Sequence, residues 1–97
     1  MSETVQDVIA ERASRYGEYK DQARLALKLQ ATIRDFKSRN HVQPWNYLPD
    51  YQQHALAMIM EKVARLMSGD PDYDDNWRDI AGYATLVLDR LPTQEEK

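Results

Sequence analysis

Two short segments of this 97-residue chain carry charged and polar side chains at a spacing that suits chemistry. Lys62 and Arg65 are three residues apart, as are Asn76 and Asp79, so in helices each pair shares one face. Glu61 adds a carboxylate beside the first pair. Cations at this spacing can bind phosphates, whereas carboxylates can bind a metal ion. Because charge beside an apolar face is costly unless it is paired, these residues are either partners of one another or a functional site.

The elements that position these residues are predicted to be helices. Apolar residues recur every three or four positions, and no segment alternates with period two. We expect one domain over 1–97, with an N-terminal helix over 1–16, three further helices within 18–91, and a frayed tail over 92–97. Gly17 is expected to end the first helix with a positive φ, and Pro49 to lie near the start of the third.

The helical spacing also predicts which residues face the core. The second helix is expected to run from Glu18 or Tyr19 to about Ser38, and the fourth to continue to Leu91, before Pro92. The residues predicted to face inward are Ala23, Ala26, Leu27, Ile33 and Phe36 in the second helix, Leu56, Ile59, Met60, Val63, Leu66 and Met67 in the third, and Ile80, Tyr83, Ala84, Val87, Leu88 and Leu91 in the fourth.

Composition excludes several classes of function. The net charge of −3 gives no global basic field, so nucleic-acid binding is not expected. The chain has no cysteine and therefore no thiolate metal site or cysteine nucleophile. No apolar run approaches the ~20 residues that a membrane span needs, and the N-terminus does not resemble a signal peptide. We therefore expect a soluble intracellular protein without a membrane partner.

Segments 61–66 and 79–83 resemble the last two helices of the MazG-like, all-α nucleotide pyrophosphohydrolases. They are more similar to the small phage and prophage proteins grouped with those enzymes, and the likeness extends over most of 16–91. The resemblance implies a four-helix MazG-like bundle that forms a homodimer, in the cytoplasm of a bacterial host. Gly82 fits this picture, since a helical glycine costs ~1 kcal/mol relative to alanine and close approach of another helix would compensate.

The resemblance also implies where a metal would lie. In the enzymes, a Glu-Glu-x-x-Glu run on one helix and a Glu-x-x-Asp pair on the next hold magnesium. Here the first run falls on Glu61, Lys62 and Arg65, and the second on Asn76 and Asp79. Because cations replace two of the carboxylates, we expect no metal and no other cofactor. Mg²⁺ would be needed only for a residual nucleoside triphosphate pyrophosphohydrolase activity, for which Glu61 and Asp79 are the catalytic candidates.

Glu61, Lys62, Arg65, Asn76 and Asp79 form a mixed-charge cluster, for which the sequence leaves two interpretations open. In one, Lys62 or Arg65 neutralises Asp79 across the helix interface and the pair is structural. In the other, the cluster binds a nucleotide, and the candidate ligand-binding residues are Lys62, Arg65, Asn76, Trp77, Asp79 and Tyr83. Neither interpretation requires enzymatic activity.

A third interpretation concerns the loop from Asn40 to Tyr51. Its prolines interrupt the helical pattern, and it carries Trp45 and Tyr47, which are good anchors for a protein contact. The chain would then be an interaction protein that modulates a host factor. The acidic linker 70–75 is expected to cap the fourth helix and not to bind calcium, because Pro71 lies inside it and Ala81 stands where a bidentate glutamate is needed.

Overall fold

The fold is all-helical, as predicted. The computed structural model describes residues 4–92, except for the side chains of Ala13 and Ser14. This range contains no strand, and its helices are α1 (Val5–Tyr16), α2 (Tyr19–Asp35), α3 (Asp50–Ser68) and α4 (Asp74–Leu88), with a 3₁₀ turn at Pro44–Tyr47. The four-helix bundle is therefore confirmed, whereas the expected fraying of 93–97 and the helix start at residues 1–3 lie outside the described residues.

Helix α3 is the centre of the bundle. It packs against α2 on one side and α4 on the other, whereas α2 and α4 hardly touch and α1 packs more lightly on α2 and α3. The buried apolar residues are Ala26 of α2 and Ala55, Met60, Ala64 and Leu66 of α3. The arrangement is therefore open, since the neighbours of α3 do not close over it. None of the helices in the described range has the length and hydrophobicity needed to cross a bilayer.

The prediction of which residues face the core was partly wrong, and the open arrangement explains why. Several of those residues are largely exposed: Leu27 (63%), Ile33 (47%), Phe36 (60%), Leu56 (40%), Met67 (67%), Leu88 (68%) and Leu91 (41%). Periodicity identifies the apolar side of a helix, but it does not show whether a neighbour covers that side. The open bundle therefore leaves large apolar side chains in contact with solvent.

Two helix ends also differ from expectation. Helix α2 ends at Asp35, before Ser38, because Phe36 turns to an extended conformation (ψ 133°) and the Ser38 amide donates to the Val42 carbonyl. Helix α4 ends at Leu88, before the expected end at Leu91. By contrast, α3 begins directly after Pro49, as predicted. Local signals such as proline thus located a helix start more accurately than apolar spacing located helix ends.

The turn between α1 and α2 packs against the turn between α3 and α4, and this contact fixes the end of α1. Gly17 has φ +85°, as expected, and a Cβ there would collide with the Ser68 carbonyl oxygen. A Cβ on Gly69 would collide with the Arg15 carbonyl oxygen, and that same oxygen accepts a hydrogen bond from the Asp70 amide at 2.8 Å. The two glycines therefore let the α1–α2 turn lie directly against the α3–α4 turn, which brings the C-terminus of α1 to the candidate site.

Candidate functional site

An ion pair joins α3 and α4 where the mixed-charge cluster was predicted. The ammonium Nζ of Lys62 lies 2.8 Å from Oδ2 of Asp79. Lys62 is only 7% exposed, whereas the side chain of Asp79 is 45% exposed. The aliphatic stem of the lysine lies in the seam between the helices and its charged end reaches the carboxylate at the edge. Of the two cations that could have neutralised Asp79, Lys62 does so.

Asn76 lies one turn before Asp79 and is fully buried, with 0% exposure. Neither its Nδ2 nor its Oδ1 has a hydrogen-bond partner among the described residues, and both atoms are enclosed. The Nε of Arg65 is enclosed and without a partner in the same sense. Leaving a buried polar group unpaired costs about 1–3 kcal/mol, so such groups call for an explanation beyond stability.

Arg65 is directed toward α1. Its guanidinium carbon lies 5.1 Å from the centre of the Tyr16 ring, within the range of a cation–π contact. The Tyr16 hydroxyl in turn donates a hydrogen bond to Oδ2 of Asp75, at 3.2 Å, in the first turn of α4. Tyr16 therefore connects three helices.

The environment of Tyr16 favours its neutral form. Burial, followed by hydrogen bonds with Tyr73 and Asp75, raises the pKa of Tyr16 to about 12. The two tyrosine rings are 5.6 Å apart, and the guanidinium of Arg15 lies 4.5 Å from the centre of the Tyr73 ring. A cation on each ring and a carboxylate at the hydroxyl fix the position of Tyr16 beside Arg65.

The remaining predicted ligand residues lie on other surfaces. The indole Nε1 of Trp77 donates a hydrogen bond to the Pro71 carbonyl at 2.8 Å, so Trp77 packs on the linker. Trp77 is 54% exposed. Tyr83 stacks edge-on with His54, with the ring centres 6.1 Å apart. Tyr83 and Asp79 do line one open hollow of about 560 Å³ on the surface of α4. The predicted set is therefore divided between the seam, the linker and this hollow.

Carboxylates do not cluster in the seam. In the described part of the chain, no group of three or more His, Asp or Glu side chains is placed to hold a metal ion. Glu61 is half-buried, and the acids of the linker make local contacts instead: Asp70 accepts from the Asp72 amide, and Asp74 pairs with Arg78. The residues at the position implied by the resemblance thus present two carboxylates, on Glu61 and Asp79, and a lysine that already binds the second.

A groove beside the seam contains residues that the sequence did not single out. It encloses about 410 Å³ between α1, the start of α2 and α3, and its polar lining residues include Arg12, Glu18, Gln22 and Arg65. Gln22 is only 8% exposed. It lies four residues before the buried Ala26, so a polar residue on the inward side of α2 was the signal that could have identified the groove.

Comparison with known proteins adds the family. The family described as "Domain of unknown function (DUF6378)" matches residues 1–90. No curated protein and no solved structure matches the chain. Since the match extends over nearly the whole chain, the protein belongs to the DUF6378 family.

Proposed function

We propose that this is a MazG-like protein of phage or prophage origin that binds a nucleotide in the cytoplasm of its bacterial host without hydrolysing it through magnesium. The observation that carries the proposal is the ion pair of Lys62 and Asp79, at 2.8 Å. In the resemblance, Asp79 corresponds to a metal ligand. Two unit positive charges about 4 Å apart repel each other by about 4 kcal/mol at an effective dielectric constant of about 20. Lys62 and a divalent cation therefore compete for the carboxylate of Asp79.

Arg65 is the cation that we assign to the nucleotide. Lys62 is already neutralised, whereas Arg65 has an enclosed Nε with no acceptor among the described residues. A guanidinium binds phosphate through two parallel hydrogen bonds, and no metal is needed for this. The buried amide of Asn76, also without a partner, is the second polar group for which ligand binding offers an explanation.

Thermal unfolding with nucleoside mono-, di- and triphosphates, each in EDTA and in magnesium, tests the proposal. A nucleotide at 100 times its Kd should stabilise the protein by about 2.7 kcal/mol, and equally in EDTA. Arg65→Gln should remove the stabilisation. The matched control is Arg24→Gln, because the Arg24 side chain is 70% exposed on α2. Stabilisation by no nucleotide, or stabilisation and triphosphate turnover only with magnesium, would contradict the proposal; the latter would indicate residual pyrophosphohydrolase activity through Glu61 and Asp79.

A homodimer is part of this proposal. Large apolar side chains such as Phe36 and Leu88 are 60% and 68% exposed in the single chain. A standard interface covers ~800 Å² per partner, and a second copy of the chain is the occupant that we propose for this apolar surface. An apolar trough of about 320 Å³ between α3 and α4, lined by Leu56, Ile59 and Leu91 among others, offers a place for it. Sedimentation equilibrium at micromolar concentration should show a dimer, and a monomer there would refute this part.

The alternative function is a contact with a host protein through the 3₁₀ turn. Tyr47 on this turn is 77% exposed, and the side-chain amide of Gln53 holds the turn by donating to the Trp45 and Leu48 carbonyls at 2.8 and 3.2 Å. A rigid turn that presents an exposed aromatic ring is suited to a protein interface. Tyr47→Ala should then abolish capture of a purified host partner, whereas Tyr19→Ala, at a tyrosine that is 73% exposed, should not.

A further inference from the structure

The groove beside the seam has the chemistry of an anion site. Two arginines line it, Arg12 from α1 and Arg65 from α3, and the only acid among its lining residues is Glu18. The carboxylate of Glu18 accepts a hydrogen bond from the Lys20 amide at 3.1 Å and thus caps α2. The groove therefore has a net positive charge from its side chains, in a concave space of about 410 Å³.

Buried polar groups add to this charge. Gly17, Glu18 and Tyr19 also line the groove, so the 17-residue helix α2 begins at its wall, but the carboxylates of Glu18 and Asp21 already compensate the dipole at this end and the arginines supply the positive charge. Gln22, 8% exposed, lies one turn further along α2 and can donate from its amide. Independently of the helix terminus, the enclosed Nε of Arg65 has no acceptor in the described part of the chain.

We propose that this groove binds the phosphate group of the nucleotide, with Arg12 and Arg65 as the cations and Gln22 as a neutral donor. The inference rests on the proposed function in so far as it takes the phosphate to be part of a nucleotide. The volume lies within the range of small-molecule sites, ~300–1,000 Å³. Tyr19, which is 73% exposed at the rim, gives the ring of a base a surface to stack on.

Inorganic pyrophosphate and ATP, both in EDTA, distinguish the groove from other surfaces when their affinities are measured by isothermal titration calorimetry. Arg12→Gln is the test variant, because Arg12 is exposed and its replacement leaves the seam intact. We expect it to raise the Kd of both probes at least about ten-fold, as the loss of a charge-assisted hydrogen bond requires. The matched control, Arg24→Gln, removes the same charge from the solvent side of α2 and should change Kd less than about two-fold.

The two probes also distinguish failure of the groove from failure of the nucleotide proposal. ATP binding that Arg12→Gln and Gln22→Leu leave unchanged would overturn the groove, while the proposed function stands. Arg12-dependent binding of pyrophosphate without binding of any nucleotide would support the groove as an anion site and contradict the proposal that the protein binds a nucleotide. Equal losses in Arg12→Gln and Arg24→Gln would overturn the groove too, because the effect would then be one of net charge.

Discussion

The two members of the Lys62–Asp79 pair should differ in what their removal costs, because they differ in burial. Lys62→Met replaces a lysine that is 7% exposed by an apolar residue of similar length and leaves the Asp79 side chain, which is 45% exposed, free to rehydrate. Its cost should be about 0–1 kcal/mol. Asp79→Ala instead leaves the buried ammonium without its partner. Breaking a fully buried pair in this way costs about 3–5 kcal/mol, and we reduce this to about 2–3 kcal/mol because water reaches the carboxylate side.

Urea unfolding followed by circular dichroism at a fixed protein concentration measures the difference. Asp79→Ala should also lower Tm by about 10 °C or more, since 1 kcal/mol corresponds to about 4–8 °C in a domain of this size. The double variant Lys62→Met/Asp79→Ala should recover most of the loss, because no charge is then left buried. Equal costs for the two single variants, or a larger cost for Lys62→Met, would show that burial of Lys62 does not set the cost of breaking the pair.

Three further predictions concern Tyr16 and two glycines. The fold raises the pKa of Tyr16 from 10.0 to about 12, so the neutral phenol stabilises the fold below pH 10 and this stabilisation is lost between pH 10 and 12. The difference in the free energy of unfolding between the wild type and Tyr16→Phe, measured by urea unfolding at each pH, should therefore decrease from pH 10 to pH 12. A constant difference would contradict the raised pKa of Tyr16. Gly17→Ala should destabilise by more than about 1 kcal/mol, because φ is +85° and the Cβ meets the Ser68 carbonyl, and an unchanged Tm would contradict the turn crossing. Gly82 has open space around its Cβ position within the chain, so Gly82→Ala should stabilise an isolated monomer by ~1 kcal/mol, whereas sedimentation should show a weaker dimer if a partner helix packs there.

The sequence predicted the local features of the fold well. The positive φ of Gly17 and the start of α3 after Pro49 follow from the intrinsic preferences of glycine and proline. The pairing of Lys62 with Asp79 was one of the two interpretations of their spacing. Such features depend on neighbours in sequence or on two adjacent helices, which a pattern can reveal.

Features that depend on distant parts of the chain were missed. Leu88 and Phe36 have the spacing of core residues but remain exposed, because no other helix reaches them. The close approach expected at Gly82 is absent among the described residues. The bond from Tyr16 to Asp75 joins residues 59 positions apart, and no local pattern encodes it. The groove at Gln22 was missed for the same reason.

We propose that Lys62 stands where a divalent cation binds in the enzymes that the chain resembles. A crystal structure of the protein grown with manganese, with the anomalous signal used to locate the ion, tests this most directly. We expect no manganese bonded to Asp79 and an ammonium of Lys62 still about 2.8 Å from the Asp79 carboxylate. A manganese ion bonded to both Glu61 and Asp79, with Lys62 displaced, would contradict it.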